Sequence, residues 1–356
     1  MTIAAECYFL DVGQGSSNVI LLGERRALVI DCGRSASIPL QLLKRHVDQI
    51  VALIVSHNDI DHHGGVTDIL VAYPKAIDQL YFLQDRPIEH LHLYAVVKKE
   101  HEAGNLVNPP LRLERQNKPR IIYQDESASL SLELYFPTFL DNLDAQKAAE
   151  SNATSAVLIL FCGSRRVVFP GDTSIDDWRR IRTRLGKAIA ADIVAVPHHG
   201  GRLSQTRSTN KSQTEYQRRI ADEQHWLYTE ALRCSHAVVS VGTSNNYGHP
   251  RAETALALRQ AQTVFLCTQI TQRCHDELEQ LRPGVIRPAF PSRSRPTQDR
   301  TPSGRSRNVA CAGTIIAEIG PDKVTIQRLE QHQDAVDRLC RSPAGHPLCR
   351  EMSFES

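Results

Sequence analysis

The segment of residues 57–65 constrains this chain more than any other part of the sequence. It reads His-Asn-Asp-Ile-Asp-His-His-Gly-Gly and directly follows the apolar run of residues 50–55, which predicts a buried strand. The strand delivers four candidate metal ligands into one short loop, and these are His57, Asp59, Asp61 and His62. Imidazole and carboxylate groups suit Zn²⁺, Mn²⁺ or iron, and closely spaced ligands can hold two ions. The alternative, a charged surface loop, is disfavoured by four ligand-type residues in six positions.

Composition limits the class of protein. The chain has 356 residues, of which 41% are hydrophobic and 23% charged, which predicts a globular fold of one large domain or two ordinary ones. A net charge of only +2 means that any attraction to nucleic acid must come from local patches. We see no apolar run of the roughly 18 residues that a transmembrane helix needs, and no signal-peptide pattern. Nine cysteines, several beside apolar strand residues, fit reduced thiols, so we expect a cytoplasmic protein without membrane contact.

Strand-rich stretches interrupted by helices occur twice along the chain, which suggests two sheets with helices outside. Polar residues stand beside further apolar strands, and these are Asp31, Asn152 with Ser155, Asp172 and His198. Each lies at the end of a predicted strand, which is the rim of a sheet where functional sites usually occur. The sequence therefore predicts that distant segments contribute to one site.

Seven short motifs follow one another along the chain. They are Val12-Gly13-Gln14-Gly15, Asp31-Cys32-Gly33, residues 57–62, Asn152 with Ser155, Gly171-Asp172, Pro197-His198-His199-Gly200 and Asn246-Tyr247-Gly248-His249-Pro250. In this order they resemble the metallo-β-lactamase superfamily, and within it most of all the metallo-hydrolase domain of ComEC-type DNA-uptake proteins. The resemblance implies an α+β fold, a four-layer αββα sandwich with the metals at one edge.

The resemblance also implies a role for each matching residue. His57 and Asp59 would bind the first of two divalent ions, and Asp61 and His62 the second. Asp172 would bridge both ions, and His198 would complete the second site. Four further residues are expected to support the ligands or the fold around them, and these are Asp31, Gln14, His63 and His199.

Two positions depart from the majority of the superfamily. Asp59 stands where many members carry histidine, and Asn152, still counted among the metal-binding residues, stands where they carry another. ComEC-like domains share both features. An oxygen-richer first site favours harder ions, so we expect Mn²⁺, or weakly held Zn²⁺, at that site.

The ligand set predicts hydrolysis. Two cations that flank a water lower its pKa and stabilise negative charge on a phosphoryl oxygen. Asp61 or Asp172 would help to orient the resulting hydroxide. His249 would contact a phosphate oxygen or protonate the leaving alkoxide, and Asn246 would hold its loop or the substrate. The alternative for His249-Pro250 is a turn that starts a helix, because proline suits the first helical turn.

Two secondary features lie towards the C-terminus. Cys267, Cys274 and Cys311 bracket residues 282–307, and they are either ligands of a structural zinc or isolated buried thiols. Residues 282–307 contain seven arginines, five prolines and one acidic residue, which predicts a loop or a disordered segment. This Arg/Pro-rich loop could follow a phosphate backbone or act as a solvated linker.

We therefore expect a metallo-hydrolase, foremost a phosphodiesterase or nuclease that cleaves DNA or RNA. Its domain would span residues 1–330, with a C-terminal tail at residues 331–356. One alternative keeps the site but acts on a cyclic nucleotide, a lactone or a thioester. Another is an effector of a bacterial defence system, controlled by a partner protein or a protease that acts on the polar insertion of residues 202–233 or on the Arg/Pro-rich loop.

Overall fold

A computed structural model describes residues 3–83, 91–148, 152–204, 213–243, 245–275, 310–327 and 329–349. The Arg/Pro-rich loop of residues 282–307 lies outside the described residues. In chain order the strands are β1 (Ala5–Phe9), β2 (Asn18–Leu21), β3 (Arg26–Ile30), β4 (Gln49–Ile54), β5 (Ile77–Phe82), β6 (Leu111–Arg112), β7 (Arg120–Asp125), β8 (Leu130–Phe136), β9 (Val157–Cys162), β10 (Arg165–Phe169), β11 (Ile193–Ala195), β12 (His236–Val239), β13 (Val264–Cys267), β14 (Ile315–Ile319) and β15 (Val324–Ile326). The helices are α1 (Ser37–His46), α2 (Ile60–His63), α3 (Val66–Ala72), α4 (Leu91–Glu102), α5 (Phe139–Ala148), α6 (Ile175–Leu185), α7 (Gln213–Trp226), α8 (Ala252–Gln260) and α9 (Leu329–Arg341).

The strands form two sheets, each of which is antiparallel on one side and parallel on the other. The first has the order β15-β14-β1-β2-β3-β4-β5-β6, and the second has the order β13-β12-β11-β10-β9-β8-β7. Strands β3 to β6 are parallel in the first sheet, and strands β10 to β13 are parallel in the second. Parallel neighbours place their carboxyl ends at one edge, which is where sites of such sheets form.

Three hydrophobic clusters define four layers. Between the two sheets, the rings of Phe9 and Phe169 stack with centroids 5.8 Å apart. The outer face of the first sheet packs against α1, α3 and α4, with Leu42 fully buried. The outer face of the second sheet packs against α6 and α8, where Trp178 is 1% exposed. The predicted α+β fold, a four-layer αββα sandwich, is therefore confirmed.

Helix α6 shows how local sequence fixes an element next to the site. Ser174 and Asp177 form a capping box, in which each side chain accepts a hydrogen bond from the backbone N–H of the other residue. Gly186 ends the helix in the left-handed region at φ +68°, where glycine carries no steric penalty. The helix start is therefore fixed just after Asp172.

Two segments pack more firmly than the sequence suggested. The region expected as a C-terminal tail begins with most of helix α9, whose Ala335 and Leu339 are buried against the second sheet. The apolar side chains at every third or fourth position of this segment form one helix face, and burial of that face explains the difference. The predicted polar insertion contains Leu227 and Tyr228, which are both fully buried. No helix in the described part of the chain is long and apolar enough to cross a membrane.

Candidate metal centre

The candidate metal centre lies where the carboxyl ends of the parallel strands from both sheets meet. Strand β3 ends before Asp31, and β4 ends shortly before His57. In the second sheet, β10 leads to Asp172 and β11 to the turn at His198 and His199. The backbone joins the two sheets at this point, because Ala156 N–H donates to the Ser56 carbonyl at 2.8 Å. Residues far apart in the sequence are thereby held at one edge of the fold.

The first ligand group is formed by His57, His62 and Asp172, whose candidate ligand atoms all lie within 4.8 Å of one another. The Nε2 atom of His57 is 3.7 Å from Asp172 Oδ2. This nitrogen is buried, and no described atom forms a hydrogen bond with it. An orphaned, buried imidazole nitrogen that faces a carboxylate fits a divalent cation, since buried polar groups otherwise find a partner.

The second ligand group is formed by Asp61, His62 and His199. Their candidate ligand atoms also lie within 4.8 Å of one another. The Nε2 atom of His199 is 3.3 Å from His62 Nε2 and 3.7 Å from Asp61 Oδ2. It is also 3.8 Å from Asp172 Oδ1. Asp172 Oδ2 therefore faces His57, whereas Oδ1 faces His62 and His199, an arrangement suited to a carboxylate shared by two ions.

Electrostatics keep the shared carboxylate charged. Burial alone would raise the pKa of Asp172, but the surrounding histidines, His62 and His199 foremost, hold it well below its usual range. Burial alone would likewise lower the pKa of His62, but the carboxylates of Asp172 and Asp31 raise it well above its ordinary value. The site is thus built to balance buried negative charge with positive charge.

Asp31 and Ser56 hold His62 in place. Asp31 Oδ2 accepts hydrogen bonds from His62 Nδ1 at 2.7 Å and from Ser56 Oγ at 2.8 Å. The other carboxylate oxygen accepts from the backbone N–H of Ser56 at 2.7 Å. Because Nδ1 of His62 donates to this carboxylate, its Nε2 lone pair is directed into the ligand groups. Ser56 was not among the predicted residues, because a serine after a strand is too common to stand out.

Replacing Asp31 with asparagine is expected to weaken metal binding by about 10- to 100-fold, the usual cost of losing a carboxylate behind a metal-binding histidine. The affinity is measured by competition with a chelator of known strength. Asp48→Asn is the matched control, because Asp48 pairs with Arg25 on the surface and its side chain is 69% exposed. Equal affinity in the Asp31 variant and the control would contradict the role of Asp31.

The turn at Pro197–Gly200 brings two of the predicted site histidines to the centre in different positions. We assigned His198 to the second metal and a supporting role to His199. In the structure His199 is 4% exposed and lies in the second ligand group, whereas His198 is 29% exposed and only its Nε2 approaches Asp172, at 3.9 Å from Oδ2. That oxygen is the one that faces His57, so His198 lies on the side of the first group.

Both histidine rings are oriented by backbone carbonyls. His198 Nδ1 donates to the Arg202 carbonyl at 2.8 Å, and His199 Nδ1 donates to the Ser240 carbonyl at 2.9 Å. Each histidine has a positive φ, 51° and 53°, a conformation that is uncommon outside glycine. Two consecutive residues with this left-handed backbone conformation point their side chains in different directions. One ring therefore enters each side of the site.

His249 lies beside this turn, and its loop is held by a residue that we did not predict. Asn245 Oδ1 accepts from the backbone N–H of His249 at 2.8 Å, and Asn245 Nδ2 donates to the His249 carbonyl at 3.0 Å. Asn246, which we expected to hold the loop or the substrate, is exposed. Burial, together with His198 and His199, lowers the pKa of His249 to about 3, so its ring is neutral near pH 7.

Close packing explains the two glycines that follow His199. A side chain at Gly200 would begin 2.7 Å from Pro250 Cβ, and one at Gly201 would begin 2.7 Å from His249 Nε2. The glycines therefore allow the loop that carries His249 to approach the ligand turn.

Asp59 lies at the solvent side of the first group. Its Oδ2 is 3.6 Å from His57 Nε2, and its side chain is 39% exposed. Burial would raise the pKa of Asp59, but the neighbouring ring of His57 lowers it below its usual value. Asp59 is therefore available to bind a cation at the side of the centre that is accessible from solvent.

Three other predicted site residues, Gln14, His63 and Asn152, belong to neither of the two ligand groups. Gln14 belongs to a turn whose Gly15 carbonyl accepts from Ser240 Oγ at 2.6 Å. His63 is buried in the same short helix as His62. Asn152 begins a single-turn 3₁₀ helix, and its carbonyl accepts from the N–H of Ser155. The metal or supporting roles of these residues stay predictions.

The candidate zinc residues Cys267, Cys274 and Cys311 are all buried. Burial raises the pKa of each thiol, and the other two thiols contribute to the rise at Cys267, so the three lie near one another. In the described part of the chain, however, no three ligand atoms of this region come within 4.8 Å of one another. The structural zinc stays a prediction.

Comparison with known proteins places these observations in a family context. The sequence model of the metallo-β-lactamase superfamily matches residues 11–78, which include the ligand loop. This match supports the superfamily that the motifs resemble, whereas the ComEC-type subgroup remains a resemblance. No curated protein matches the sequence significantly.

Three solved structures are among those with some similarity to this chain. The metallo-β-lactamase fold protein YhfI of Bacillus subtilis is 14% identical, with 74% of this chain and 96% of that chain covered and a TM-score of 0.44. The short form of human tRNase Z is 14% identical, with coverage of 66% and 92% and a TM-score of 0.39. Zinc-bound PqqB of Methylobacterium extorquens is 14% identical, with coverage of 71% and 84% and a TM-score of 0.38. At this level of similarity, their activities are not transferred to this chain.

Proposed function

We propose that this chain is a metal-dependent phosphodiesterase that cleaves DNA or RNA at the two ligand groups around Asp172. The observation that carries the proposal is the position of Asp172, whose two oxygens face His57 on one side and His62 with His199 on the other. Divalent ions held there would lower the pKa of a water and neutralise charge that develops on a phosphoryl oxygen.

The donor atoms of the two groups favour ions of different hardness. The first group, His57, His62 and Asp172, has the further carboxylate of Asp59 beside it, with Asp59 Oδ2 at 3.6 Å from His57 Nε2. The second group contains two imidazoles, from His62 and His199, together with Asp61. Because carboxylates favour harder ions, we propose Mn²⁺ or weakly held Zn²⁺ at the first group and Zn²⁺ at the second.

The chain's own residues position the reactants. Asp61 and Asp172 can accept hydrogen bonds from the attacking water and so orient it. The neutral ring of His249 can donate a hydrogen bond to a phosphoryl oxygen or to the leaving oxygen. Asn245 keeps that ring beside His198, with centroids 5.4 Å apart.

The shape of the site favours a substrate that approaches from the surface. Behind His62, Asp172 and His199, on the side of Phe9 and Phe169, the protein leaves a void of only about 20 Å³, enough for a single water, so a substrate does not enter the centre from that side. Drug-sized ligands usually occupy clefts of roughly 300–1,000 Å³. The exposed side carries Asp59 and His198, which are 39% and 29% exposed. A long substrate that lies across the surface fits this arrangement better than an enclosed small molecule.

The test is incubation with single- and double-stranded DNA and RNA in Mn²⁺ and in Zn²⁺, beside a variant with Asp61→Ala and His62→Ala. We expect metal-dependent cleavage of at least one nucleic acid, and a loss of about 10³-fold or more in the variant, because several kcal/mol of transition-state stabilisation depend on these ligands. Cyclic nucleotides, lactones and thioesters serve as parallel substrates. Cleavage of one of these alone, with no nucleic acid cut, would replace the nuclease proposal with the small-molecule alternative.

Control of the activity by a partner protein or a protease remains a second proposal. Residues 205–212 of the polar insertion and the whole Arg/Pro-rich loop of residues 282–307 lie outside the described residues. Full activity of the intact chain, unchanged after limited proteolysis, would count against it.

A further inference from the structure

Three arginines, Arg202, Arg251 and Arg273, lie together beside the candidate metal centre. We refer to them as the arginine cluster. The charges of Arg202 and Arg273 both act on Arg251, and hydrogen bonds place Arg202, Arg251 and Arg273 on the loops around His198 and His249. Each side chain is partly exposed, so the cluster can be reached from solvent.

The cluster is tied to the same turns that carry the histidines. The Arg202 carbonyl accepts from His198 Nδ1 at 2.8 Å. The backbone N–H of Arg251 donates to the Gly200 carbonyl at 2.9 Å, and Arg251 directly follows His249-Pro250. Arg273 Nε donates to the Gly248 carbonyl at 3.0 Å. The backbones of Arg202 and Arg251 and the side chain of Arg273 are therefore held next to His198 and His249.

The charges of the cluster are not balanced within the described part of the chain. None of its members forms an ion pair with a described carboxylate, and the buried Nε atoms of Arg202 and Arg251 have no described hydrogen-bond partner. Burial, together with the positive charges of Arg202 and Arg273, lowers the pKa of Arg251 despite the opposing charge of Glu253. Unpaired, partly buried donors of like charge are unfavourable unless an anion binds them.

Aromatic rings border the same surface. The Tyr247 side chain is 58% exposed, and its ring centroid lies 5.6 Å from that of His249. Tyr216 lies under the guanidinium of Arg202, at 5.4 Å from the ring centroid. Cationic groups beside an exposed aromatic ring are the combination that binds single-stranded nucleic acid, because phosphates pair with the cations and bases stack on the ring.

We propose that the arginine cluster is a phosphate-binding subsite that holds the backbone of a single-stranded nucleic acid beside the scissile phosphodiester, with a neighbouring base stacked on Tyr247. This inference rests on the proposed nuclease function and names the substrate class of that site. The subsite does not discriminate between base sequences, because the arginines contact the phosphate backbone and the ring of Tyr247 stacks with any base.

The test measures binding of fluorescein-labelled 12-nucleotide strands with phosphorothioate linkages, which resist hydrolysis, to the metal-loaded protein over a range of salt concentrations. Arg251→Gln is expected to lower the slope of log K against log salt by about 0.7, the value for one single-strand phosphate contact. Arg251→Lys keeps the charge and should keep the slope. Arg45→Gln is the matched control, because Arg45 lies exposed in the last turn of α1. Thermal unfolding of each variant shows whether it is folded.

Stacking is tested separately from charge. Tyr247→Ala should weaken binding by on the order of tenfold at an unchanged slope, whereas Tyr247→Phe should bind as the wild type does. Equal effects on single-stranded and duplex probes would overturn the assignment to single strands. An unchanged slope, both in Arg251→Gln and in the folded variant that lacks all three arginines, would overturn the subsite.

The outcome for the subsite is distinguishable from that for the nuclease itself. Cleavage of nucleic acid by the wild type, with no change of slope in the arginine variants, would overturn the subsite and keep the proposed function. No cleavage of any nucleic acid by the wild type would overturn the proposed function and, with it, the substrate assigned to the cluster.

Discussion

Asp172→Asn is expected to lower the rate of metal-dependent hydrolysis by about 10³-fold or more and to reduce the metal bound per chain. The variant keeps the size of the side chain but removes the charge that both ligand groups share. Each 1.36 kcal/mol of lost transition-state stabilisation costs a factor of ten, and ions that stabilise a developing charge contribute several kcal/mol. Hydrolysis of a labelled oligonucleotide and metal analysis of the purified variant give the two measurements.

The control for this variant is Asp176→Asn. Asp176 lies only four residues further on, but its side chain is 71% exposed and pairs with Arg179 on the surface of helix α6. We expect this control to keep wild-type activity and metal content. If Asp172→Asn retained both as well, Asp172 could not be the carboxylate shared by the two groups.

The second large effect concerns the two histidines of the turn. His199→Asn is expected to lower hydrolysis by about 100-fold or more, because His199 is one of three ligands in the second group. His198→Asn should cost about tenfold, because His198 lies on the rim, where its Nε2 is 3.9 Å from Asp172. Asparagine suits both positions, since it tolerates the positive φ of 51° and 53° better than other side chains.

The comparison of the two variants carries its own control. They remove the same ring from adjacent residues with the same backbone conformation, and thermal unfolding of each variant shows whether loss of the more buried ring of His199 impairs folding. Metal analysis should show a larger loss of bound metal for His199→Asn. The reverse order, with His198→Asn more damaging in activity and in metal content, would support the sequence-based assignment of His198 as a metal ligand instead.

The fold was predictable because its information is local and repeated. Apolar strands separated by helices gave the two sheets and outer helices, and the structure confirms the four-layer sandwich. The segment beyond residue 330 was harder, because the apolar face of helix α9 becomes informative only when the second sheet is there to cover it. Propensity alone does not show which helix face finds a partner.

The neighbours of the site residues were harder to predict than the ligand loop itself. Ser56 links Asp31 to His62 through hydrogen bonds, yet its residue type is common after strands. Asn245 holds the loop of His249, whereas the motif drew attention to Asn246. Adjacent residues in a turn point in different directions, and only the backbone conformation decides which one faces inward.

The sequence by itself determined that this chain carries a dense loop of metal-binding residue types directly after a buried strand. It also identified Asp31, Asp172 and the His198-His199 pair as residues at strand ends. Only the tertiary structure decided which of these residues lie in which ligand group, because both groups form where the two sheets meet. His199 enters the second group because its Nδ1 donates to the Ser240 carbonyl, 41 residues away in the sequence. A contact at that separation depends on the fold as a whole and leaves no local pattern.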